Sequence, residues 1–123
     1  MIKIFVTGID TDAGKSVVSA ILVEALQANY WKPVQAGELD NSDTIKVKSL
    51  VSNVVSEFHT EAYRLTKPMS PHAAAAIDGV DISIDRIRKE FIDLKNATRD
   101  LIIEGAGGLM VPLNSSELVI DLI

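Results

Sequence analysis

Two stretches of this chain have the residue types and spacing to do chemistry on phosphates. The first is Gly8-Ile-Asp-Thr-Asp-Ala-Gly-Lys-Ser16, which follows an apolar run (Ile2, Ile4, Phe5, Val6) and leads directly into a helical pattern from Lys15. Glycines at a strand-to-helix junction let backbone N–H groups converge on an anion, and the free donors and positive dipole end of the helix add to the attraction. Lys15 would then neutralise β/γ-phosphate charge, and the Ser16 hydroxyl is the natural Mg²⁺ ligand beside it. Five residues separate Gly8 from Gly14 where the standard phosphate loop has four, so an ordinary glycine turn with a surface lysine stands as the alternative.

The second stretch is Asp100-Leu-Ile-Ile-Glu104 with Gly105-Ala-Gly-Gly108 directly after it. An acid at the carboxyl end of a central parallel strand, with glycines clearing space around it, is where an α/β sheet holds a nucleotide's metal. A glutamate that merely ends a strand would leave three glycines in four residues without a reason.

Other residues are more ambiguous. Lys32 lies in an apolar segment before Pro33; its stem can be buried with the amine reaching water, or it can be a second cation aimed at the phosphate site. Asp43 at a helix start can complement the dipole or serve as a carboxylate beside a metal. Ser70 as a cap and Pro71 at the first helical position explain their segment structurally, leaving His72 a weaker candidate for lining a site and His59, in a polar loop, weaker still.

The elements that must position these groups can be read from periodicity. Residues 2–7 predict a buried parallel strand, and residues 15–28 a helix with Val17, Val18, Ile21, Leu22, Ala25 and Leu26 on its inner side. Residues 30–35 predict one short strand ending at Ala36-Gly37. A helix capped by Asn41 or Ser42 leads into Ile45, Val47, Leu50, Val51, Val54 and Val55. A short strand near 62–65 and an alanine-rich helix ending near Gly79 follow. Residues 83–97 predict a helix with Ile84, Ile87, Phe91 and Leu94 on one stripe. Residues 100–104 predict a second buried strand, 109–113 a brief extension, and 115–117 a helix start. Leu118, Val119, Ile120, Leu122 and Ile123 then form an apolar run without a cap. Such surface needs cover, so a fragment, or a protein completed by a partner, is expected.

With 123 residues, 47 % apolar content and no linker-like tract, one α/β domain over 1–123 is expected, burying roughly two thirds of its unfolded surface. A formal charge of −5 without a lysine/arginine run argues against nucleic acid or an anionic membrane as partner. The absence of cysteine excludes disulfides, thiolate nucleophiles and cysteine-ligated metals. No apolar run reaches spanning length, so a soluble cytoplasmic protein is expected.

Gly8-Ile-Asp-Thr-Asp-Ala-Gly-Lys-Ser16, Lys32-Pro-Val-Gln-Ala-Gly37, Asn41-Ser-Asp43, Ser70-Pro-His72 and Glu104-Gly-Ala-Gly-Gly108, taken together and in this order, resemble the dethiobiotin synthetases. The loop with five intervening residues is that family's own pattern, and the match runs from Met1 to Ile123. The resemblance implies a P-loop NTPase-like parallel sheet flanked by helices in three α/β/α layers, here truncated to an N-terminal half, and usually a homodimer. It implies ureido ring closure on 7,8-diaminopelargonate: an amine captures CO₂ (from bicarbonate) as a carbamate, the co-substrate ATP phosphorylates the carbamate, and the second amine attacks with loss of phosphate.

By the same resemblance Lys15, Lys32 and Thr11 would be catalytic, with Lys15 on the transferring phosphate and Thr11 and Lys32 facing the carbamate. Ser16, Asp43 and Glu104 would surround Mg²⁺. Gly8, Asp12, Ala13, Gly14, Lys15, Ser16, Glu104 and Gly107 would form the nucleotide site. A carboxylate beside phosphates is repelled unless a cation intervenes, so Asp12 is expected to meet an amine of the diamine. Ala36 stands where some relatives carry a hydroxyl and receives no side-chain role. The relatives continue for about as many residues again, a half that supplies the adenine pocket and much of the dimer contact to the substrate carboxylate. The alternative is a non-catalytic, switch-type nucleotide-binding module; against it, the loop lacks the additional early lysine of such switches.

Overall fold

The computed structural model describes residues 2–8, 14–94 and 99–123. In chain order it contains β1 (Lys3–Gly8), α1 (Lys15–Leu26), β2 (Asn29–Trp31), β3 (Val34–Ala36), α2 (Asp43–Leu50), β4 (Tyr63–Leu65), α3 (Pro71–Asp78), α4 (Ile84–Leu94) and β5 (Leu101–Gly108), with short 3-10 turns at Leu39–Asn41 and Val119–Leu122. β5 is central in a parallel sheet of order β1-β5-β2. Its register sets Val6 beside Glu104 and Tyr30 beside Ile102.

Side chains alternate across the sheet, so each strand serves two cores. On one face Val6, Tyr30 and Ile102 pack with Ala20 and Val23 of α1 and Val47 of α2. On the other, Trp31 and Leu101 pack with Ala74 and Ala75 of α3, Ile84 and Ile87 of α4, and Val34 and Leu65. A sheet between two helical layers is the three-layer α/β/α arrangement expected, in a shortened form.

Several boundaries differ from expectation for physical reasons. The strand expected over 30–35 is broken at Lys32-Pro33: β2 pairs with β5, whereas β3 pairs with β4 in a separate two-stranded parallel sheet. Proline has no N–H to give to a ladder. β1 is only partly buried, because it lies at the edge of the three-stranded sheet. α2 ends at Leu50, and beyond it Val54 is 98 % exposed. β5 does not stop at Glu104 but continues through its glycines to Gly108. No helix begins at 115–117; Asn114 Oδ1 accepts from the Ser116 and Glu117 amides and forms a turn instead. The apolar run after it is partly covered, with Val119 buried and Ile120 and Ile123 exposed. The helix expected to 97 is seen to Leu94, and 95–98 lie outside the described residues.

The largest difference is the facing of α1. Val17, Val18, Ile21 and Leu26 are exposed, while Lys15, Ser19, Ala20 and Val23 are buried and Leu22 packs at the margin of the core. This helix is apolar around most of its circumference, so hydrophobicity alone does not choose its inner side. Polar contacts made by its first two turns do.

Candidate active site

Those contacts converge on Glu104, which is fully buried in β5. A buried carboxylate needs its lone pairs satisfied. Oε1 accepts from Ser19 Oγ at 3.1 Å and Tyr30 Oη at 3.1 Å. Oε2 accepts from Ser16 Oγ at 3.2 Å and Lys32 Nζ at 3.3 Å. Ser16 and Ser19 are one helical turn apart and both reach the same carboxylate, which turns α1 so that its serines face the sheet and Val17, Val18 and Ile21 face outward.

Lys32 Nζ also donates to Asp43 Oδ2. The residue is 4 % exposed, so its amine does not reach bulk water; one ammonium bridges two carboxylates. Asp43 opens α2, where Ser42 Oγ caps the helix by accepting from the Ile45 amide at 3.3 Å. Gln35, itself buried, orients this end: its Oε1 accepts from the Asp43 amide at 3.1 Å, and its Nε2 donates to Gly37 O at 3.0 Å. Lys46 Nζ lies 4.0 Å from Asp43 Oδ1 and 3.4 Å from Glu38 Oε2.

The charges follow from this geometry. Burial pushes the Glu104 carboxyl up, opposed by Lys32 and reinforced by Asp43. Burial also acts to raise Asp43, but the Lys32 charge and hydrogen bond outweigh it and hold that carboxyl below its ordinary value. Burial and then the Glu104 charge push the Tyr30 phenol far up, so its oxygen remains a donor to Glu104.

Lys15, Lys32, Gln35, Asp43, Lys46 and Gly107 line one cleft of about 580 Å³, with Pro68, Met69, Ser70 and Pro71 on another side. Lys15 is buried at its wall. Gly14 caps α1 with φ +81°, and among the described residues nothing lies within 4 Å of where a Cβ would be. Gly107 has φ +72°, and a Cβ there would stand 3.0 Å from Val111. A second cavity, of about 260 Å³ and mainly apolar, is lined by Phe5, Trp31, Ile87, Phe91 and Ile103 and shares none of these groups.

Of the residues singled out from sequence, Lys15, Ser16, Lys32, Asp43, Glu104 and Gly107 come together around this cleft. Gly8 pairs with Gly108 at the ends of β1 and β5, past an irregularity in the ladder, and neither is among the residues that line the cleft. Thr11, Asp12 and Ala13 lie outside the described residues. His72 is exposed, engages Pro112 through its backbone and is not a cleft residue. His59 is partly buried, with Nε2 lacking a partner among the described residues and its pKa lowered, chiefly by burial. Sequence reading gave no site role to Ser19, to Tyr30 or to Gln35, although Gln35 stands within the Lys32-Pro-Val-Gln-Ala-Gly37 motif.

Ser16, Asp43 and Glu104 offer only oxygen, and no third His, Cys, Asp or Glu joins the two carboxylates among the described residues. A hard cation such as Mg²⁺, which takes one or two carboxylates and keeps waters and phosphate oxygens, suits such a set. Lys32 already holds a positive charge between the carboxylates.

Residues 3–123 match the family described as AAA domain, AAA_26. The chain is 58 % identical over 119 residues to a protein of Christiangramia forsetii named ATP-dependent dethiobiotin synthetase BioD, covering 97 % of this chain and 55 % of that one. It is 51 % identical over 123 residues to the protein of the same name from Cytophaga hutchinsonii, covering 100 % and 57 %. For the one from Chlamydia pneumoniae the identity is 48 %, covering 96 % and 50 %. The chain spans about half the length of these curated relatives.

Proposed function

The chain belongs to the AAA_26 family of AAA domains, and from that premise we propose that it is the phosphate-, metal- and carbamate-handling part of an ATP-dependent dethiobiotin synthetase. Its substrates would be 7,8-diaminopelargonate, CO₂ supplied as bicarbonate, and ATP. The observation that carries this reading is the convergence of Lys15, Lys32 and Asp43 on one cleft, with Glu104 anchored behind them. Three lysines lining one cleft, Lys15, Lys32 and Lys46, suit a reaction whose intermediate is a carbamoyl phosphate and whose leaving group is phosphate.

Lys15 would stabilise charge on the transferring phosphoryl group, where a preorganised cation acts without reorganisation cost. Thr11 and Lys32 would face the carbamate, while Gly8, Asp12, Ala13, Gly14 and Gly107 would surround the nucleotide. Ser16, Asp43 and Glu104 would hold Mg²⁺, whose chemistry when bound is to offset negative charge on the phosphate oxygens. Tyr30 and Ser19 hold the Glu104 carboxylate in place through Oε1, leaving Oε2 directed at Ser16 and Lys32. The enzyme's contribution would be largely positioning and neutralisation.

A homodimer belongs to this proposal, supported by the exposed apolar side of α1. So does a cytoplasmic location without nucleic-acid or membrane partners; no helix among the described residues is long and apolar enough to cross a membrane.

The test is Mg²⁺-dependent ADP release with and without 7,8-diaminopelargonate and bicarbonate, on this chain and on the longest reading frame that contains it. Release requiring both substrates, together with dethiobiotin by mass spectrometry, is expected from the longer protein. Nucleotide binding without substrate-stimulated release would refute the synthetase reading and favour a switch-type module.

A further inference from the structure

We propose that Lys32 is the resident cation of the Asp43–Glu104 pair in the ligand-free protein, and that arrival of a divalent ion displaces its ammonium into the cleft. This rests on the reading above only in taking these carboxylates as ion ligands. Two carboxylates facing each other with partial or full burial repel strongly unless a positive charge stands between them. Lys32 Nζ supplies that charge, donating to Asp43 Oδ2 and to Glu104 Oε2. The oxygen it occupies on Glu104 is also the one that accepts from Ser16, so lysine and ion would claim the same atoms.

The members of this cluster differ in their freedom to move. Glu104 is held from behind by Ser19 and Tyr30. Asp43 is held through the start of α2, by the Gln35 contact to its amide and the Ser42 cap. Lys32 has a flexible four-carbon stem and a compact charge with rotatable donors, and it already lines the cleft. Exchange therefore moves the lysine and leaves the carboxylates in place. The coupling is reciprocal: while the lysine bridges the pair it weakens ion binding, and once the ion is bound the ammonium is freed toward the substrate side. Lys32 would then meet the carbamate only after the ion has arrived, giving the site an order of assembly.

The experiment is Mn²⁺ binding by calorimetry, without nucleotide or diamine, on the longest reading frame that contains the chain. It compares the wild-type protein with Lys32→Met and Lys46→Met. Lys46 carries the same charge and lies 4.0 Å from Asp43, so its variant measures the general effect of removing a nearby cation. Displacement predicts that Lys32→Met binds Mn²⁺ about tenfold more tightly than Lys46→Met, the result of removing a competitor as well as a charge. Equal affinities in the two variants, or no Mn²⁺ binding by any of the three, overturn the proposal.

A second readout uses the wild-type protein alone, so it holds even where Lys32→Met fails to fold. The Lys32 ¹⁵Nζ resonance, followed during Mg²⁺ titration, should shift as the ion saturates; an unmoved resonance overturns the proposal. Neither readout involves turnover. Ion-linked release of Lys32 without diamine-dependent ADP formation would keep this inference and remove the synthetase reading, and the converse would do the opposite.

Discussion

Glu104 has no side-chain freedom to spare, since each of its oxygens accepts two hydrogen bonds. Tyr30→Phe leaves Oε1 with Ser19 alone, in a place water does not reach. Urea denaturation should show a loss of about 1–3 kcal/mol, the cost of an incompletely satisfied buried acceptor; a change within error would mean that Tyr30 is not what holds the carboxylate. Lys15→Ala should act differently, lowering kcat/KM for diamine-dependent ADP release by on the order of 3 kcal/mol of transition-state stabilisation. Near-wild-type turnover would remove Lys15 from the proposed mechanism. At this scale the sequence was informative where residues are adjacent, as in Gly14-Lys15-Ser16 and the glycines after Glu104. Ser19 and Tyr30 were not legible, because their roles arise across separations of 85 and 74 residues. A signal did exist in each case. Ser19 repeats Ser16 after one helical turn, and Tyr30 lies two positions before Lys32, each pair sharing a side of its segment.

The facing of α1 shows why element-level reading went wrong. Periodicity finds a stripe only when one side is polar, and in α1 the polar residues of the first two turns are the inward ones. The extent of β2 was misjudged for a different reason, since apolar Trp31 and Val34 stand on either side of Lys32-Pro33 and both are buried, although the chain passes there from one sheet to the other. Two predictions belong here. Gly37, with φ +75°, would bring a Cβ to 2.6 Å from the Pro68 backbone, so Gly37→Ala should cost about 1–3 kcal/mol from backbone strain and more from the clash. Thermal denaturation measures the loss, and an unchanged Tm would refute the close packing of these two segments beside the cleft.

Glu24 of α1 ties down the segment after α2, accepting from Ser52 N at 2.6 Å, Ser52 Oγ at 2.8 Å and Asn53 N at 3.1 Å. The Ser52 bonds, followed by those from Asn53, pull its pKa from the ordinary 4.5 to about 2. A depressed carboxyl contributes stability in full above its unfolded pKa. This tether should therefore hold above pH 4.5 and loosen as pH falls from there through about 2. NMR titration of the Glu24 side chain should give a midpoint near the lower value, and a midpoint near 4.5 would mean that the bonds do not persist in solution.

For the whole molecule, the outward side chains of α1 bear on assembly. Val17 is 56 % exposed and Ile21 61 % exposed on a helix whose other side is committed to Glu104 and the core. An apolar patch in that position favours contact with another surface. In the longest reading frame that contains this chain, Ile21→Glu should convert the proposed dimer to monomer in sedimentation velocity; a dimer retained with a lowered Tm would mean that the rest of that longer chain covers this side of α1 instead. An unaltered dimer would assign self-association to a different face.

β1 has a further consequence, for handling the chain by itself. β5 covers one of its edges, and no strand covers the other among the described residues. Lys3-Ile-Phe-Val-Thr-Gly8 is β-prone and mostly apolar, with one charge near its start as a deterrent. A row of unpaired backbone donors and acceptors on such a strand is a template for recruiting other chains. The isolated polypeptide should thus become more prone to ordered aggregation as its concentration rises, and placing a second lysine on that margin should improve its yield more than enlarging the core would.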